Sequence, residues 1–253
     1  TLLRDALAAS IRATMRWKGI DTIPADADQG GSDPTSVSIA LDPTGAQDVL
    51  PADALERTFD AYLAQVRQRD APDALYAYTP YEMRNVLTFV HLDRPADAQF
   101  MLEHVVRDRR PTAWQELAEV VYSDKRHAIY LGDMPHTWIG AEYARSVFGM
   151  LMFEGDRALS LLPGTPPSWV AGPGLKVDGL PTAYGTLAMQ ARQEGQRLTI
   201  TLGKGLRADS ALKVYWPNRQ RPRSVTVDGQ AVREFDAQGV ALTRPFSTLV
   251  AQW

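Results

Sequence analysis

The chain has 253 residues, 45% of them hydrophobic, which is enough apolar material for one large or two modest domains. Its formal net charge of -3 and pI near 5.8 give no basic footprint, so neither nucleic acid nor a membrane surface is expected as a partner. Cysteine is absent, which excludes disulfides and thiolate metal sites. No apolar run reaches the roughly 18 residues of a membrane span, and we expect the chain to open with a helix rather than a signal peptide.

The first part of the chain has helical periodicity. Apolar residues recur at helical spacing from Leu2 to Trp17, and Gly19 follows them, which predicts a helix with a glycine C-cap. Asp33 and Pro34 predict the capped start of a short second helix. The helical pattern then continues through several more elements.

Further helix starts are marked by capping residues at Asp53, Thr79, Asp93 and Thr112. Asp53 pairs with Glu56 in a predicted capping box ahead of an apolar stripe, and Thr79 is followed by proline, as a helix start favours. The helix after Thr112 is predicted to be short and to carry Glu116 and Glu119 on one face. A last helix is expected from about residue 135 to 153.

The period changes near Gly155. Beyond it, apolar and polar residues alternate in short runs such as 198–202 and 225–227, with turn signals at Glu194-Gly195 and Asp228-Gly229. This pattern predicts an antiparallel β domain of the sandwich type. The fold class is therefore predicted as α + β multidomain, with a helical domain over residues 1–155 and a β-sandwich over residues 156–253.

Two carboxylates lie near two tryptophans in the stretch 114–138. Glu116 and Glu119 follow Trp114, and Trp138 opens the next helix after a Gly-Asp-x-Pro cap. An enzyme that acts on sugars needs a carboxylate for proton transfer and an aromatic ring as a platform for the pyranose face. This stretch therefore indicates carbohydrate chemistry.

Four motifs carry a resemblance to a known family: Gly31-Ser32-Asp33-Pro34-Thr35-Ser36, Tyr78 through Asn85, Trp114 through Glu119, and Gly132 through Trp138. They are similar to the C-terminal part of the six-hairpin glycosidases, the (α/α)6-barrel enzymes that include the glucoamylases. The stretch from Gly179 to Leu187 looks like the sandwich that follows the barrel in some bacterial members. The resemblance implies that residues 1–155 form half of an α/α toroid, because a complete ring needs twelve helices.

The resemblance also implies the roles of residues. The catalytic base of glucoamylase-like enzymes is a glutamate shortly before a Gly-x-x-Pro helix start, which Glu119 matches best and Glu116 second. The base would accept a proton from the water that attacks the anomeric carbon with inversion, while an acid outside this chain protonates the leaving oxygen. The candidate substrate-binding residues are Trp138, Tyr81, Glu82, Arg84, Asp33 and Trp114.

The implied partners are a carbohydrate substrate and an N-terminal half-barrel segment, from the same precursor or from a separate chain. No cofactor is implied, and the four histidines show no metal-ligand spacing, so no metal site is expected. Polysaccharide hydrolysis favours a periplasmic or extracellular location over the cytoplasm.

Two other functions stay open. Polysaccharide lyases share this architecture and abstract a proton with Tyr or His, beside Asn and Arg that neutralise the uronate, and Tyr81, Arg84, Asn85 and His91 fit such a set. A non-catalytic carbohydrate-binding or scaffolding piece is the alternative outside enzymology.

Each candidate residue also has a structural explanation. Glu116 and Glu119 would then line a solvated helix face, and Asp33 would only cap a helix. The two tryptophans would be core residues.

Overall fold

The computed structural model describes residues 2–128, 130–155 and 157–253. The chain is mixed α/β and divides into two compact units, Thr1–Ser146 and Val147–Trp253. The first is mainly helical and the second mainly β. No helix in the described part of the chain combines the length and the apolarity that crossing a bilayer requires.

The helices of the first unit are joined by connections of different lengths, the longest between residues 107 and 137. They are α1 (Leu2–Lys18), α2 (Pro34–Val37), α3 (Ala52–Gln68), α4 (Asn85–His91), α5 (Pro95–Arg107) and the first part of α6 (Thr137–Leu151). Short 3-10 turns cover Ser38–Ala40, Gln47–Val49 and Pro80–Arg84. A two-stranded antiparallel sheet pairs β1 (Ala77–Tyr78) with β2 (Val121–Tyr122).

Three predicted helix boundaries are confirmed. α1 ends where Gly19 adopts φ 64°, a left-handed conformation that glycine reaches without a steric penalty. Asp33 caps α2 by accepting a hydrogen bond from the Ser36 amide at 3.1 Å. The Thr79 hydroxyl accepts one from the Tyr81 amide at 3.3 Å and so caps the turn that leads into α4.

The predicted capping box at Asp53 is wrong. α3 begins at Ala52 with Pro51 at its N-cap, so Asp53 lies inside the first turn. Its carboxylate there is favoured by the partial positive charge of the helix N-terminus rather than by capping geometry. The apolar stripe that follows is buried as expected, at Leu55, Phe59, Tyr62, Leu63 and Val66.

The predicted helix after Thr112 is also wrong, because residues 112–119 contain no helix. The Glu119 amide donates to the Asp133 carbonyl at 2.9 Å, and the Leu117 carbonyl accepts from the His136 amide at 3.1 Å. Backbone groups that pair across the chain in this way cannot also form hydrogen bonds within a helix. Glu116 and Glu119 therefore do not share a helix face.

One face of α1 is exposed although it is apolar. Leu2 is 91% and Trp17 70% exposed, and Leu3 and Leu7 are exposed as well. Within α1 the buried residues are Ala8 and Thr14. The helix therefore leaves four of its large apolar side chains in solvent.

Among its described residues, the second unit contains the end of α6, a short helix α7 (Pro167–Val170) and ten strands. The strands are β3 (Met152–Glu154), β4 (Leu159–Leu161), β5 (Leu175–Thr182), β6 (Gly185–Glu194), β7 (Arg197–Leu202), β8 (Leu212–Tyr215), β9 (Ser224–Val227), β10 (Gln230–Val232), β11 (Gly239–Leu242) and β12 (Thr248–Gln252). They form an antiparallel six-stranded sheet in the order β10-β9-β12-β7-β6-β5 and a four-stranded sheet in the order β11-β8-β4-β3. In the smaller sheet β4 runs parallel to β8.

Both sheets contribute to one hydrophobic core. In β7, Leu198 and Ile200 are fully buried, while the alternate residues Thr199 and Thr201 are half-buried on the other face. Trp216 lies in the same core with no exposed surface, and the smaller sheet contributes Leu159 and Val214 to it. The period-2 alternation read in the sequence therefore corresponds to one buried and one outer face.

Replacing Ile200 by Ala should destabilise the β unit by about 2–5 kcal/mol, because a core isoleucine is removed and the surrounding side chains only partly close the gap. Thr199→Ala, on the other face of the same strand, should cost well under about 1 kcal/mol. Urea unfolding followed by the near-ultraviolet circular dichroism of the tryptophans measures both. Equal losses for the two variants would contradict this assignment of the core face.

Candidate functional site

Three chain segments pair into a small ribbon in the first unit. Val121 pairs with Tyr78 on one side and with Leu131 on the other, both antiparallel. The pairing continues beyond the strands, since the Gly132 amide donates to the Val120 carbonyl at 2.8 Å. The ribbon thus joins residues 77–78, 119–122 and 130–133.

The ribbon requires a glycine at position 132, which lies opposite Glu119 and Val120. A Cβ added to Gly132 would lie 2.9 Å from the Val120 amide nitrogen and 3.4 Å from the Glu119 Cβ. The first distance is closer than a Cβ approaches backbone atoms in real structures, so any other residue at position 132 would push the two segments apart. Gly132 therefore sets how closely Glu119 lies to Asp133.

The direction of the strands brings Tyr81 to the same end of the ribbon as Glu119. The chain leaves β1 at Tyr78 and reaches Tyr81 three residues later, while it enters β2 from Glu119. Because the two strands are antiparallel, these two connections lie at one end. The Asp133–His136 segment leads from that same end into α6.

An aromatic pair with one exposed ring lies at this end of the ribbon. The rings of Tyr81 and Trp138 meet edge to face, with centroids 4.6 Å apart and planes at 87°. Trp138 is 61% exposed, so its ring offers an open surface. The Arg84 guanidinium lies over Tyr81, its central carbon 3.9 Å from the ring centroid.

A partly buried ion-pair network continues from Arg84. Its Nη2 donates to Glu142 Oε1 at 3.0 Å, and the side chains are 13% and 4% exposed. Arg145 donates to both Glu142 oxygens at 3.3–3.4 Å and to Asp42 at 2.6 Å. The two positive and two negative charges balance.

The two predicted catalytic glutamates are both exposed. Within the described parts of the chain, no side chain hydrogen-bonds or ion-pairs with either carboxylate. Glu119 belongs to the ribbon, whereas Glu116 and Trp114 lie in the irregular segment before it. Backbone pairing thus places Glu119 at the same end of the ribbon as the aromatic pair, and no described contact brings Glu116 or Trp114 to it.

Two predicted substrate-binding residues have structural partners instead. Glu82 accepts hydrogen bonds from Nη1 and Nη2 of Arg69, at 2.9 and 3.1 Å, and from the Tyr62 hydroxyl at 2.7 Å. Asp33 is occupied by capping α2 through Ser36. Of the predicted binding residues, Tyr81, Arg84 and Trp138 are the ones that contact one another.

Sequence reasoning missed Asp133, His136 and Glu142 as members of this region. Asp133 Oδ2 lies 3.4 Å from His136 Nδ1, beside the ribbon end that holds Glu119. Glu142 is four residues after Trp138, the spacing that places two side chains on one helix face. The four-residue spacing can be read from the sequence, but the burial of Glu142 cannot.

A polar concavity of about 440 Å³ lies at the other end of the ribbon. It is lined by Arg69, Asp70, Tyr76, His104, Arg107 and Asp108. His104 is nearly fully buried, and its Nδ1 lies 3.1 Å from Arg107 Nη2. Burial lowers the pKa of His104, and the attraction of Asp70 opposes this shift only in part.

No protein-family model matches this chain, and no curated protein shows significant similarity to it. Over the described residues, no three His, Cys, Asp or Glu side chains converge in a way that could hold a metal ion. The assignment of a function therefore depends on the geometry of the ribbon end.

Replacing Glu82 by Gln should destabilise the first unit by about 3 kcal/mol, because the mostly buried Arg69 guanidinium then loses its counter-charge. Glu56→Gln is the matched control, because Glu56 pairs with Arg94 but is itself largely exposed. This change should cost under about 1 kcal/mol. Urea unfolding monitored by far-ultraviolet circular dichroism compares the two. A loss for Glu82→Gln no larger than that of the control would show that the pair contributes nothing.

Stability should also fall as the pH drops below about 6.5, in part through His104. Its pKa is lower in the folded chain, so the unfolded chain binds a proton that the folded chain does not. The difference in unfolding free energy between about pH 7.5 and about pH 5.5 should shrink in His104→Gln, by up to about 1.4 kcal/mol per unit of pKa shift. An unchanged difference in His104→Gln would contradict the role of His104.

Proposed function

We propose that the chain is the C-terminal portion of a glycoside hydrolase, which cleaves O-glycosidic bonds of an oligo- or polysaccharide by inversion with Glu119 as general base. One observation carries this proposal. The ribbon places Glu119 at the same end as the Tyr81–Trp138 pair, in which Trp138 is exposed. A carboxylate beside an open aromatic surface is the combination that hydrolysis of a sugar requires.

The proposed chemistry assigns one step to each group. A pyranose ring stacks on the free face of Trp138, which orients the anomeric carbon. Glu119 then removes a proton from a water as that water attacks this carbon. A carboxylic acid on the opposite face, roughly 6.5–9.5 Å away, protonates the leaving oxygen. We place that acid outside this chain.

We further propose that the first unit is half of an α/α toroid and that the second is a β-sandwich. The missing half would come from another helical segment, in the same precursor or in a separate chain. The apolar exposed face of α1 supports this, because Leu3, Leu7 and Trp17 are the kind of surface that another helix covers. A polymeric sugar substrate favours export to the periplasm or the exterior.

The lyase alternative has less support. It requires Asn85 to contact a uronate, but Asn85 has no exposed surface. Tyr81, the candidate proton acceptor, is held between Arg84 and Trp138. A non-catalytic sugar-binding role needs only the aromatic pair and is therefore the main competitor of the hydrolase.

Replacing Glu119 by Gln, in the protein complete with the segment that closes the ring, should lower kcat by at least about 100-fold. KM should change little, because a glutamine side chain would keep the shape of the site but could not accept the proton. Release of reducing ends from a panel of neutral and acidic polysaccharides measures turnover. Glu103→Gln, an exposed change on α5, is the matched control.

The same assay separates the three functions. Ultraviolet absorption by an unsaturated product would indicate a lyase. Retention of bound polysaccharide without any product would indicate the binding module. Full activity of Glu119→Gln would exclude Glu119 as the base, and Glu116→Gln would then be the next variant to test.

A further inference from the structure

Three side chains of α6 follow one another along one side of the helix. Trp138, Glu142 and Arg145 are spaced by four and then three residues, which places them on one face. Along this face the environment changes from open to closed, since Trp138 is exposed and Glu142 is buried. α6 therefore carries both the aromatic surface and the carboxylate behind it.

A carboxylate buried as deeply as Glu142 is costly unless cations and hydrogen bonds compensate it. Arg84 and Arg145 both donate to it. Replacing such a pair by apolar residues often leaves a protein equally stable. Stability alone thus gives little reason for this arrangement.

The Arg84 guanidinium makes two contacts that depend on its planarity. One edge donates to Glu142, and one face lies over the Tyr81 ring. The edge contact fixes the plane of the guanidinium, and the plane fixes where the ring can pack. Tyr81 in turn contacts the exposed Trp138 ring in an edge-to-face arrangement.

We propose that Glu142 is a positioning residue for the aromatic surface. It holds Arg84 against Tyr81, and Tyr81 holds the indole of Trp138 in one orientation. The role in sugar binding rests on the proposed function, but the orientation of Trp138 can be measured without any sugar. The two ideas can therefore fail separately.

The test uses the indole N–H signals of the chain, which has six tryptophans, in a two-dimensional ¹H–¹⁵N spectrum. Trp138→Phe identifies the Trp138 signal. In Glu142→Gln this signal should move toward the position of a free indole, because a lost cation–π contact lowers the ordered population by roughly 3- to 10-fold. The buried Trp216 signal should stay in place, which shows that the β core is intact.

Arg84→Lys is the second variant, and it answers the question even if Glu142→Gln does not fold. Lysine keeps the charge next to Glu142 but lacks the planar face, so the Trp138 signal should again move alone. The double variant Glu142→Gln, Arg84→Lys should move it no further than Arg84→Lys does, because both changes act through one contact. Glu103→Gln should leave all signals unchanged.

An unmoved Trp138 signal in Arg84→Lys, or shifts that add in the double variant, would overturn the proposal. In the complete enzyme, Glu142→Gln should raise KM about 3- to 10-fold with kcat nearly unchanged, since only the substrate platform is loosened. If the signal moves as expected but Glu119→Gln stays active, the positioning role stands and the assignment of the base fails.

Discussion

The candidate site depends on the backbone pairing between residues 117–122 and 130–136. Without it, Glu119 would lie on an exposed loop with no fixed relation to α6. The pairing requires Gly132, because a side chain there would collide with the Val120 backbone. It also satisfies amide and carbonyl groups that a loop would otherwise leave to water. The position of one carboxylate thus follows from a few main-chain hydrogen bonds and one glycine.

Around this ribbon the charges are arranged in local, neutral sets. Glu82 neutralises Arg69, and Glu142 with Asp42 neutralises Arg84 and Arg145. Within the described residues these sets leave no buried cluster of one sign, which suits a neutral sugar better than a polyanion. Glu82 and Arg84 lie two residues apart in the sequence but pair with different partners. Glu82 faces α3, and Arg84 faces α6.

The sequence predicted the elements whose signals are local. The buried stripe of α3 and the alternation in β7 follow from side-chain periodicity. The cap at Thr79 follows from a hydroxyl that can accept an amide hydrogen bond just before a proline suited to the first helical position. The segment after Thr112 carries similar capping signals, but its backbone groups pair with residues 130–136, which no local pattern reveals. Tyr81 and Trp138 were named from their types, whereas their contact depends on the tertiary fold. The burial of Glu142 could not be predicted for the same reason.

Glu119 is exposed, and this exposure limits what the chain can do alone. A carboxylate in bulk water has no positioned water molecule to activate and no low-dielectric surroundings to strengthen its interactions. A general base works when substrate and protein enclose it and fix the geometry of the attacking water. In the proposed enzyme, the ribbon, Trp138 and Arg84 would form one wall of such an enclosure. In the proposed enzyme the opposite wall, with the proton donor, would come from the proposed segment that covers the apolar face of α1, so catalysis would depend on assembly.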